Sequence, residues 1–233
     1  MLDDLKFEIC DFMPIRTRIK ICGLRTLDAA LCAADSGADA VGFVFVERSP
    51  RFVSAAQCRA IVSKLPAFVE PVALFADAPA DQILSICDAM GIRTVQLHGR
   101  ETIADVEALS DLRVIKAINF GDDSQASWLA SASPANVVGL LIDAPATPQA
   151  AGLTGGSGHT FDWAALASLD RAALPPIILA GGLTPENVAS AIAAAHPFAV
   201  DVSSGVEASR GNKDLAKIRA FCAAVQRADV SRL

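Results

Sequence analysis

Eight short apolar runs, each followed by a segment with helical features, repeat along the chain from residue 18 to its end. Several of the runs are apolar nearly throughout, which is typical of strands covered on both faces in a parallel sheet. The segments after the fifth and sixth runs are the weakest helix candidates. The runs are RIKIC (18–22), AVGFVF (40–45), VEPVALFA (69–76), TVQLHG (94–99), RVIKAI (113–118), VVGLLIDA (137–144), PIILAGG (176–182) and AVDVSSG (199–205).

The number of these units decides between two α/β folds. Eight β-then-α units over about 215 residues match a closed (β/α)8 barrel near its minimum length, whereas an open doubly wound sheet usually has fewer strands. No GxGxxG motif follows the first run, which argues against a dinucleotide-binding sheet. We therefore predict an α/β fold with one domain, a (β/α)8 TIM barrel over residues 17–233, preceded by an N-terminal extension over residues 1–16.

Two of the helices have the clearest apolar periodicity. Their apolar residues recur at i, i+3, i+4 and i+7 or close to it, as expected for one face of a helix. The predicted stripes are Leu27, Ala30, Leu31 and Ala34 in the first helix and Leu215, Ile218, Cys222 and Val225 in the last.

Composition excludes several classes of function. The 233 residues are 52% hydrophobic, so the chain is able to build a large core. The net charge of −6 is spread without blocks of like charge, which argues against a nucleic-acid partner. No apolar run reaches the roughly 20 residues that a membrane span needs. Asp3, Asp4 and Glu8 stand where a signal peptide would be basic and then apolar, so we expect a soluble protein.

The six cysteines predict neither a metal site nor a disulfide framework. They form no CxxC pair and have no close histidine partner, which disfavours metal binding. We expect reduced thiols, most of them packed as small hydrophobic groups, and hence a cytoplasmic location. The cysteines are Cys10, Cys22, Cys32, Cys58, Cys87 and Cys222.

Two polar residues end apolar runs that lie three strands apart around the predicted eight-stranded ring. Active sites of this fold lie at the carboxyl ends of the strands. Cys22 ends the first strand and Asp143 the sixth, so both are able to face a substrate that lies across the mouth. A thiol in such a position is more often an inert packing group, whereas an unpaired buried carboxylate is costly and needs a reason. We interpret Cys22 and Asp143 as a candidate base and acid.

Further candidates lie at the other strand ends. His98 ends the fourth strand and either contacts substrate or fixes a loop, and Arg51 is the nearest well-placed cation for an anionic group. Small residues after strands six, seven and eight offer backbone amides that are able to converge on a phosphate. These predicted phosphate-binding residues are Gly155, Gly156, Ser157, Gly181, Gly182, Ser203, Ser204 and Gly205.

The first strand also carries a lysine. Side chains alternate across a strand, so Lys20 points inward if Cys22 does. An inward lysine needs a partner, and Asp201 lies on the eighth strand, which is adjacent after closure. We predict a structural Lys20–Asp201 pair.

Six blocks of sequence closely resemble the phosphoribosylanthranilate isomerase family, and the resemblance runs from about residue 18 to residue 222. Several such blocks, in the right order on the right fold, are far more specific than a single short motif. The blocks are KICG (20–23), GADAVGFVF (37–45) followed by SPR (49–51), VQLHG (95–99), GGSGHTFDW (155–163), AGGLTPENV (180–188) and VDVSSGVE (200–207).

This resemblance implies a chemistry and a role for each candidate. The expected substrate is a phosphosugar joined to anthranilate, and the reaction is an Amadori rearrangement. Asp143 is expected to protonate the furanose ring oxygen, which opens the ring to an iminium ion. Cys22 then removes the sugar C2 proton. Arg51 is expected to face the anthranilate carboxylate. No metal or organic cofactor is expected, because the substrate nitrogen serves as the electron sink.

Two departures from the family bear on substrate binding. His159 stands where the family commonly has lysine, next to the predicted phosphate loop, which makes any ionic help from that position pH-dependent. The alanine- and proline-rich segment 144–154 is interpreted as a mobile flap over the site.

Three other functions compete with this one. A lyase such as indole-glycerol-phosphate synthase shares the phosphate position but relies on a lysine acid, for which Lys116 is an isolated candidate. A bifunctional histidine-and-tryptophan isomerase would need a second strand-end aspartate, and strand one offers none. A non-catalytic phosphosugar sensor would need no acid and base pair. The sequence does not distinguish a monomer from a dimer.

Overall fold

Eight parallel strands form a closed barrel in the computed structural model, which describes residues 16–119, 128, 133–143, 163, 166, 171 and 174–231. Each strand pairs with the next one along the chain, and β8 pairs with β1 to close the ring. The predicted (β/α)8 barrel is therefore confirmed. The strands are β1 (Arg18–Cys22), β2 (Ala40–Val44), β3 (Glu70–Phe75), β4 (Thr94–Leu97), β5 (Arg113–Asn119), β6 (Val137–Asp143), β7 (Ile177–Leu179) and β8 (Ala199–Val202).

Helices follow β1 to β4, β7 and β8 in the described ranges. The segments after β5 and β6, where the predicted helices are weakest, fall largely outside those ranges, as does nearly all of the predicted 1–16 extension. No helix of the described part is long and apolar enough to cross a membrane. The helices are α1 (Leu27–Asp35), α2 (Ala55–Val62), α3 (Ala80–Met90), α4 (Ile103–Glu107), α5 (Val188–Ala195) and α6 (Leu215–Val230).

A short antiparallel hairpin, absent from the sequence prediction, lies between β8 and α6. Its strands are β9 (Glu207–Ser209) and β10 (Asn212–Lys213). It follows a 3-10 turn over Ser204–Val206. The hairpin brings two charged side chains, Glu207 and Lys213, back toward the barrel mouth.

Alternation along the strands separates a large apolar core from a smaller one, and Cys22, Val44 and Leu74 form a third small cluster. The larger core fills the space between the strands and the helices and includes Phe43, Phe75 and Phe221. The smaller core fills the barrel interior, as is usual for this fold. Its buried members come from β3, β5, β6, β7, the residue after β7, and β8: Val72, Ile115, Ala117, Leu141, Ile178, Ala180 and Ala199.

The stripe predicted for α1 is wrong in phase. Leu27 is 36% exposed, and Leu31 and Ala34 are half-buried. The buried face consists instead of Ala29, Ala30, Cys32 and Ala33. Because this helix is apolar on nearly every side, no polar face fixes its phase in the sequence. The α6 stripe is confirmed at Ile218, Cys222 and Val225, which are buried, whereas Leu215 is half-buried.

Candidate active site

The carboxyl ends of the strands enclose a cavity of about 380 Å³. This volume lies within the range of small-molecule sites. The cavity is lined by the predicted Cys22, Arg51, His98, Asp143, Gly181, Gly182, Ser203 and Ser204, together with Val44, Val46, Ser49, Leu74, Ala76, Gln96, Ala180, Leu183, Asp201 and Val202. The predicted Gly155, Gly156 and Ser157, like His159 and the 144–154 segment, lie outside the described residues.

Cys22 is held closely between neighbouring strands. It is 4% exposed, and its carbonyl oxygen accepts a hydrogen bond from Ser203 Oγ at 3.2 Å. On the other side, a Cβ added at Gly42 would lie 2.9 Å from Cys22 Sγ and 3.1 Å from its Cα. Glycine at position 42 therefore makes the room that the thiol occupies.

The charges around Cys22 act on its thiol in opposite directions. Burial, the largest effect, raises the pKa of Cys22, and the negative charge of Asp201 raises it as well. The positive charges of Lys20 and Lys213 lower it, but the net shift is upward. The raised pKa means that the unliganded protein carries Cys22 as a thiol near neutral pH. The two lysines favour the thiolate once the proton has left.

The other described thiols have the surroundings of packing groups. Burial raises the pKa of Cys58 to about 12 and that of Cys87 to about 11. It also raises the pKa of Cys222 to about 12. Cys32 is buried as well, and the five cysteines of the described residues are free thiols. Among them, only Cys22 lines the cavity.

Lys20 lies below Cys22 inside the barrel. Its Nζ is 2.8 Å from Asp201 Oδ1, and the two residues are paired in the β1–β8 register. The predicted Lys20–Asp201 pair is therefore confirmed. Lys20 Nζ also donates to Gln96 Oε1 at 2.8 Å. Gln96, which the sequence prediction missed, connects the pair to the far side of the barrel.

The far side carries His98 and Asp143. Gln96 Nε2 lies 3.0 Å from His98 Nδ1, and His98 Nε2 lies 3.4 Å from Asp143 Oδ2. The two side chains keep 35% and 30% of their surfaces exposed. His98 is thus both a cavity-lining group and a neighbour of the candidate acid. A signal for Gln96 exists in the sequence: it is a polar residue in the middle of an apolar strand.

Arg51 reaches the cavity while paired with an acidic residue. Its Nε donates to Glu207 Oε1 at 2.6 Å and its Nη2 to Glu207 Oε2 at 3.0 Å. Arg51 is among the residues that line the cavity, so its guanidinium group is able to contribute to ligand binding there. Gly23, at φ +77°, makes room for the arginine, because an added Cβ would lie 2.6 Å from Arg51 Cδ.

The Glu207 carboxylate accepts hydrogen bonds from three of the described residues. Besides Arg51, it accepts from Lys213 Nζ at 3.1 Å and from Gly211 N at 3.1 Å. Burial alone would raise the pKa of Glu207, but the hydrogen bond from Arg51 and the charge of Lys213 outweigh it and hold that pKa below its ordinary value. Burial lowers the pKa of Lys213 despite this partner. Glu207 is part of the VDVSSGVE block, whereas no signal in the sequence marks Lys213.

The predicted phosphate-binding residues divide into two groups. Gly181 and Gly182 line the cavity in left-handed conformations, at φ +84° and +62°, which favour glycine. Ser203 and Ser204 line the same edge. Gly205 is different: an added Cβ would lie 1.9 Å from the carbonyl oxygen of Leu183. Gly205 therefore lets the loops after β7 and β8 approach each other and is not among the lining residues.

Lys116, the candidate acid of the lyase alternative, does not line the cavity. Its strand neighbours Ile115 and Ala117 face the barrel interior, so Lys116 faces the opposite side of the sheet. Its Nζ contacts Glu101 Oε2 and the carbonyl oxygen of Gly99, both at 2.8 Å. This lysine anchors the loop after β4. In the described residues, no cluster of three or more His, Cys, Asp or Glu side chains is arranged to hold a metal ion.

Comparisons with known proteins point to one family. The family model described as N-(5'-phosphoribosyl)anthranilate isomerase matches residues 19–224. The N-(5'-phosphoribosyl)anthranilate isomerase of Pseudomonas fluorescens strain Pf0-1 is 46% identical over 209 residues, which cover 90% of this chain and 98% of that protein.

Solved structures of the same kind share the fold. The phosphoribosyl anthranilate isomerase of Thermotoga maritima superimposes with a TM-score of 0.79 at 40% identity, over 91% of this chain and 99% of that one. A phosphoribosyl anthranilate isomerase in complex with reduced 1-(o-carboxyphenylamino)-1-deoxyribulose 5-phosphate has a TM-score of 0.77 at 36% identity, over 91% and 99% of the two chains.

Proposed function

This chain belongs to the N-(5'-phosphoribosyl)anthranilate isomerase family, and we propose that Asp143 and Cys22 are the acid and base of its reaction. The enzyme is an isomerase of tryptophan biosynthesis. It converts N-(5'-phosphoribosyl)anthranilate into 1-(2-carboxyphenylamino)-1-deoxyribulose 5-phosphate by an Amadori rearrangement. The proposal is carried by one observation: a thiol, a carboxylate, an arginine and two pairs of small residues line a single cavity.

Asp143 starts the reaction as general acid. It donates a proton to the furanose ring oxygen, the C1–O bond breaks, and the nitrogen lone pair forms a C1=N iminium bond. Its position next to His98, on the partly exposed rim, supports this role because the group has to reach a substrate atom.

Cys22 completes the reaction as general base. Once the thiol proton of Cys22 has passed to solvent, its thiolate takes the proton from the sugar C2, and the electrons of that C–H bond move toward the iminium to give an enolamine, which tautomerises to the ketone. The nearby Lys20 and Lys213 charges support the role because they favour the thiolate. The substrate nitrogen accepts the electrons, so the proposal needs no cofactor.

The remaining lining residues bind the two anionic ends of the substrate. We assign the anthranilate carboxylate to Arg51, and the phosphate to Gly181, Gly182, Ser203 and Ser204, with Gly155, Gly156 and Ser157 completing the phosphate site. Gly205, predicted as a phosphate-binding residue, is assigned instead to the packing of the loop that carries the two serines. His98 is assigned to the rim beside Asp143. Support comes from the presence of Arg51 and of the small residues after β7 and β8 in the lining of the same cavity. A small phosphosugar is the only partner required. We also propose a cytoplasmic location, supported by the five free thiols.

Substitution of the acid and the base tests the proposal. Purified protein is expected to quench the fluorescence of freshly made substrate, and Cys22→Ser or Asp143→Asn is expected to lower kcat by at least about 100-fold, the usual contribution of a positioned acid or base. Matched controls are Cys32→Ser, whose thiol contacts the Leu215 carbonyl away from the cavity, and the exposed Asp88→Asn. Near-normal kcat in either cavity variant would overturn its assignment.

A further inference from the structure

The donors and acceptors around Gln96 allow only one arrangement. Lys20 Nζ is an ammonium group that donates and never accepts. It lies 2.8 Å from Gln96 Oε1 and 2.8 Å from Asp201 Oδ1. The carbonyl oxygen of the Gln96 amide therefore faces Lys20, and its NH2 group faces His98.

This orientation fixes the proton on His98. Gln96 Nε2 lies 3.0 Å from His98 Nδ1, and an amide nitrogen donates, so Nδ1 has to accept. A neutral imidazole carries one proton. That proton is then on Nε2, which lies 3.4 Å from Asp143 Oδ2.

We propose that Lys20 and Gln96 are positioning residues that hold His98 in its Nε2–H form, so that His98 donates to Asp143 as Asp143 loses its proton to the substrate. This inference rests on the proposed role of Asp143. The Asp143 O–H bond breaks, its electrons stay on the carboxylate, and the proton goes to the ring oxygen. His98 keeps its own proton throughout and turns it toward the new negative charge.

Burial makes the arrangement rigid. Lys20 is 4% exposed and Gln96 is 1% exposed, so neither has water as a ready alternative partner. The 3.4 Å separation of His98 and Asp143 is long for a hydrogen bond and is expected to shorten as charge develops on the carboxylate. The hydrogen bond is thus stronger in the transition state than before it, which is the condition for a contribution to kcat.

The same lysine also faces the base. Lys20 favours the thiolate of Cys22, which is needed for the second proton transfer. One buried cation therefore supports the acid through Gln96 and His98 and the base directly. Lys20 is more than the purely structural group that the sequence predicts.

Nitrogen NMR of the histidine rings tests the tautomer without reference to activity. The chain has three histidines, His98, His159 and His196, so 15N-labelled rings are few, and a His98→Asn variant assigns the signal. We expect the neutral His98 ring to have Nδ1 unprotonated and Nε2 protonated. A protonated Nδ1 in the wild-type protein would overturn the inference, whether or not the protein is active.

The Gln96→Glu variant tests the consequence for catalysis. Its carboxylate keeps the acceptor toward Lys20 but presents a second acceptor to His98 Nδ1, so that Nδ1 becomes protonated. We expect kcat to fall at least about tenfold, with KM changed by less than about twofold, because a transition-state interaction is lost. The matched control is Gln226→Glu, an exposed glutamine that contacts the Ser36 carbonyl; it should change neither kcat nor the His98 signal.

Each result of this experiment has a distinct meaning. An unaltered ring signal, or a kcat within about twofold of wild type, would overturn the positioning role. A folding defect in Gln96→Glu leaves the wild-type ring measurement as the deciding result. A wild-type protein that shows the expected ring state but no turnover would refute the proposed roles of the acid and the base and leave the tautomer assignment intact.

Discussion

Two of the buried lysine–carboxylate pairs start from lysines on barrel strands, Lys20 on β1 and Lys116 on β5, and of these two only the Lys20 pair faces the cavity. Lys20 Nζ lies 2.8 Å from Asp201 Oδ1, and Lys116 Nζ lies 2.8 Å from Glu101 Oε2. All four side chains are at most 8% exposed. Distance and burial therefore do not distinguish the two pairs.

Their remaining hydrogen bonds do distinguish them. Lys116 Nζ also donates to the carbonyl oxygens of Leu97 and Gly99. Its partner Glu101 accepts hydrogen bonds from the backbone nitrogens of Asp77 and Gly99. All these partners are main-chain groups that hold loops. Lys20 contacts Gln96 and acts on Cys22. The role of each buried ion pair is therefore set by the other groups that its lysine contacts.

Removal of Lys116 should have the largest effect on stability. Lys116→Met leaves Glu101 buried and unpaired, which costs about 3–5 kcal/mol of unfolding free energy. Urea denaturation measures this loss. The double variant Lys116→Met with Glu101→Leu should recover part of the loss, because the buried charge is gone. If the single variant lost less than about 1 kcal/mol, the pair would not anchor the loop in the way described.

Removal of Lys20 should reduce stability less than removal of Lys116 does, and it should reduce activity more. Asp201 lines the cavity, so water is able to hydrate it in Lys20→Met, and we expect a loss of about 1.5–3 kcal/mol. Without Lys20, burial and Asp201 raise the pKa of Cys22 further. Alkylation of Cys22 should then be slower at every pH below that pKa and reach its midpoint at higher pH. An unchanged alkylation profile would contradict the link between Lys20 and the base.

Crowding of Cys22 should give the smallest loss of stability of the three changes, and it acts on the side of the barrel that faces the cavity. Gly42→Ala adds a methyl group 2.9 Å from Cys22 Sγ and 3.1 Å from its backbone Cα, which pushes the thiol from its position. We expect a loss of about 1–3 kcal/mol in stability and a lower kcat. Gly139→Ala is the control, because its nearest neighbour, at 3.1 Å, is the flexible end of Ile178. Equal kcat in the two variants would show that Cys22 tolerates displacement.

Much of the barrel and part of the site follow from local patterns in the sequence. Apolar runs with intervening helices predict eight strands, and the strand ends predict Cys22 and Asp143 at the cavity. Alternation predicts that Lys20 points inward, and closure of the ring predicts Asp201 as its partner. Each of these predictions needs only the period of a strand and the order of the strands.

The missed features depend on side chains that meet across the barrel. Gln96 is visible in the sequence as a polar residue in an apolar strand, but its role depends on the contacts that its side chain makes with Lys20 and His98. Arg51 and Glu207 are 156 positions apart, and the hairpin that carries Glu207 is too short to give a periodic signal. The phase of α1 is ambiguous because nearly every position in it is apolar. Such contacts are set by packing, which no local pattern encodes.

Closure of the ring between the first and last strands has a consequence for synthesis of the protein. Lys20 and Asp201 are 181 positions apart, and Thr17 donates to Asp229, 212 positions away. The N-terminal strands of a growing chain are synthesised first. Strand β1 therefore cannot pair with β8 until nearly the whole polypeptide has been made. Lys20, next to the proposed base Cys22, lacks its carboxylate partner for the same period. The proposed catalytic centre is therefore among the last parts of the molecule to be completed, and a chain that stops before β8 lacks the Lys20–Asp201 pair.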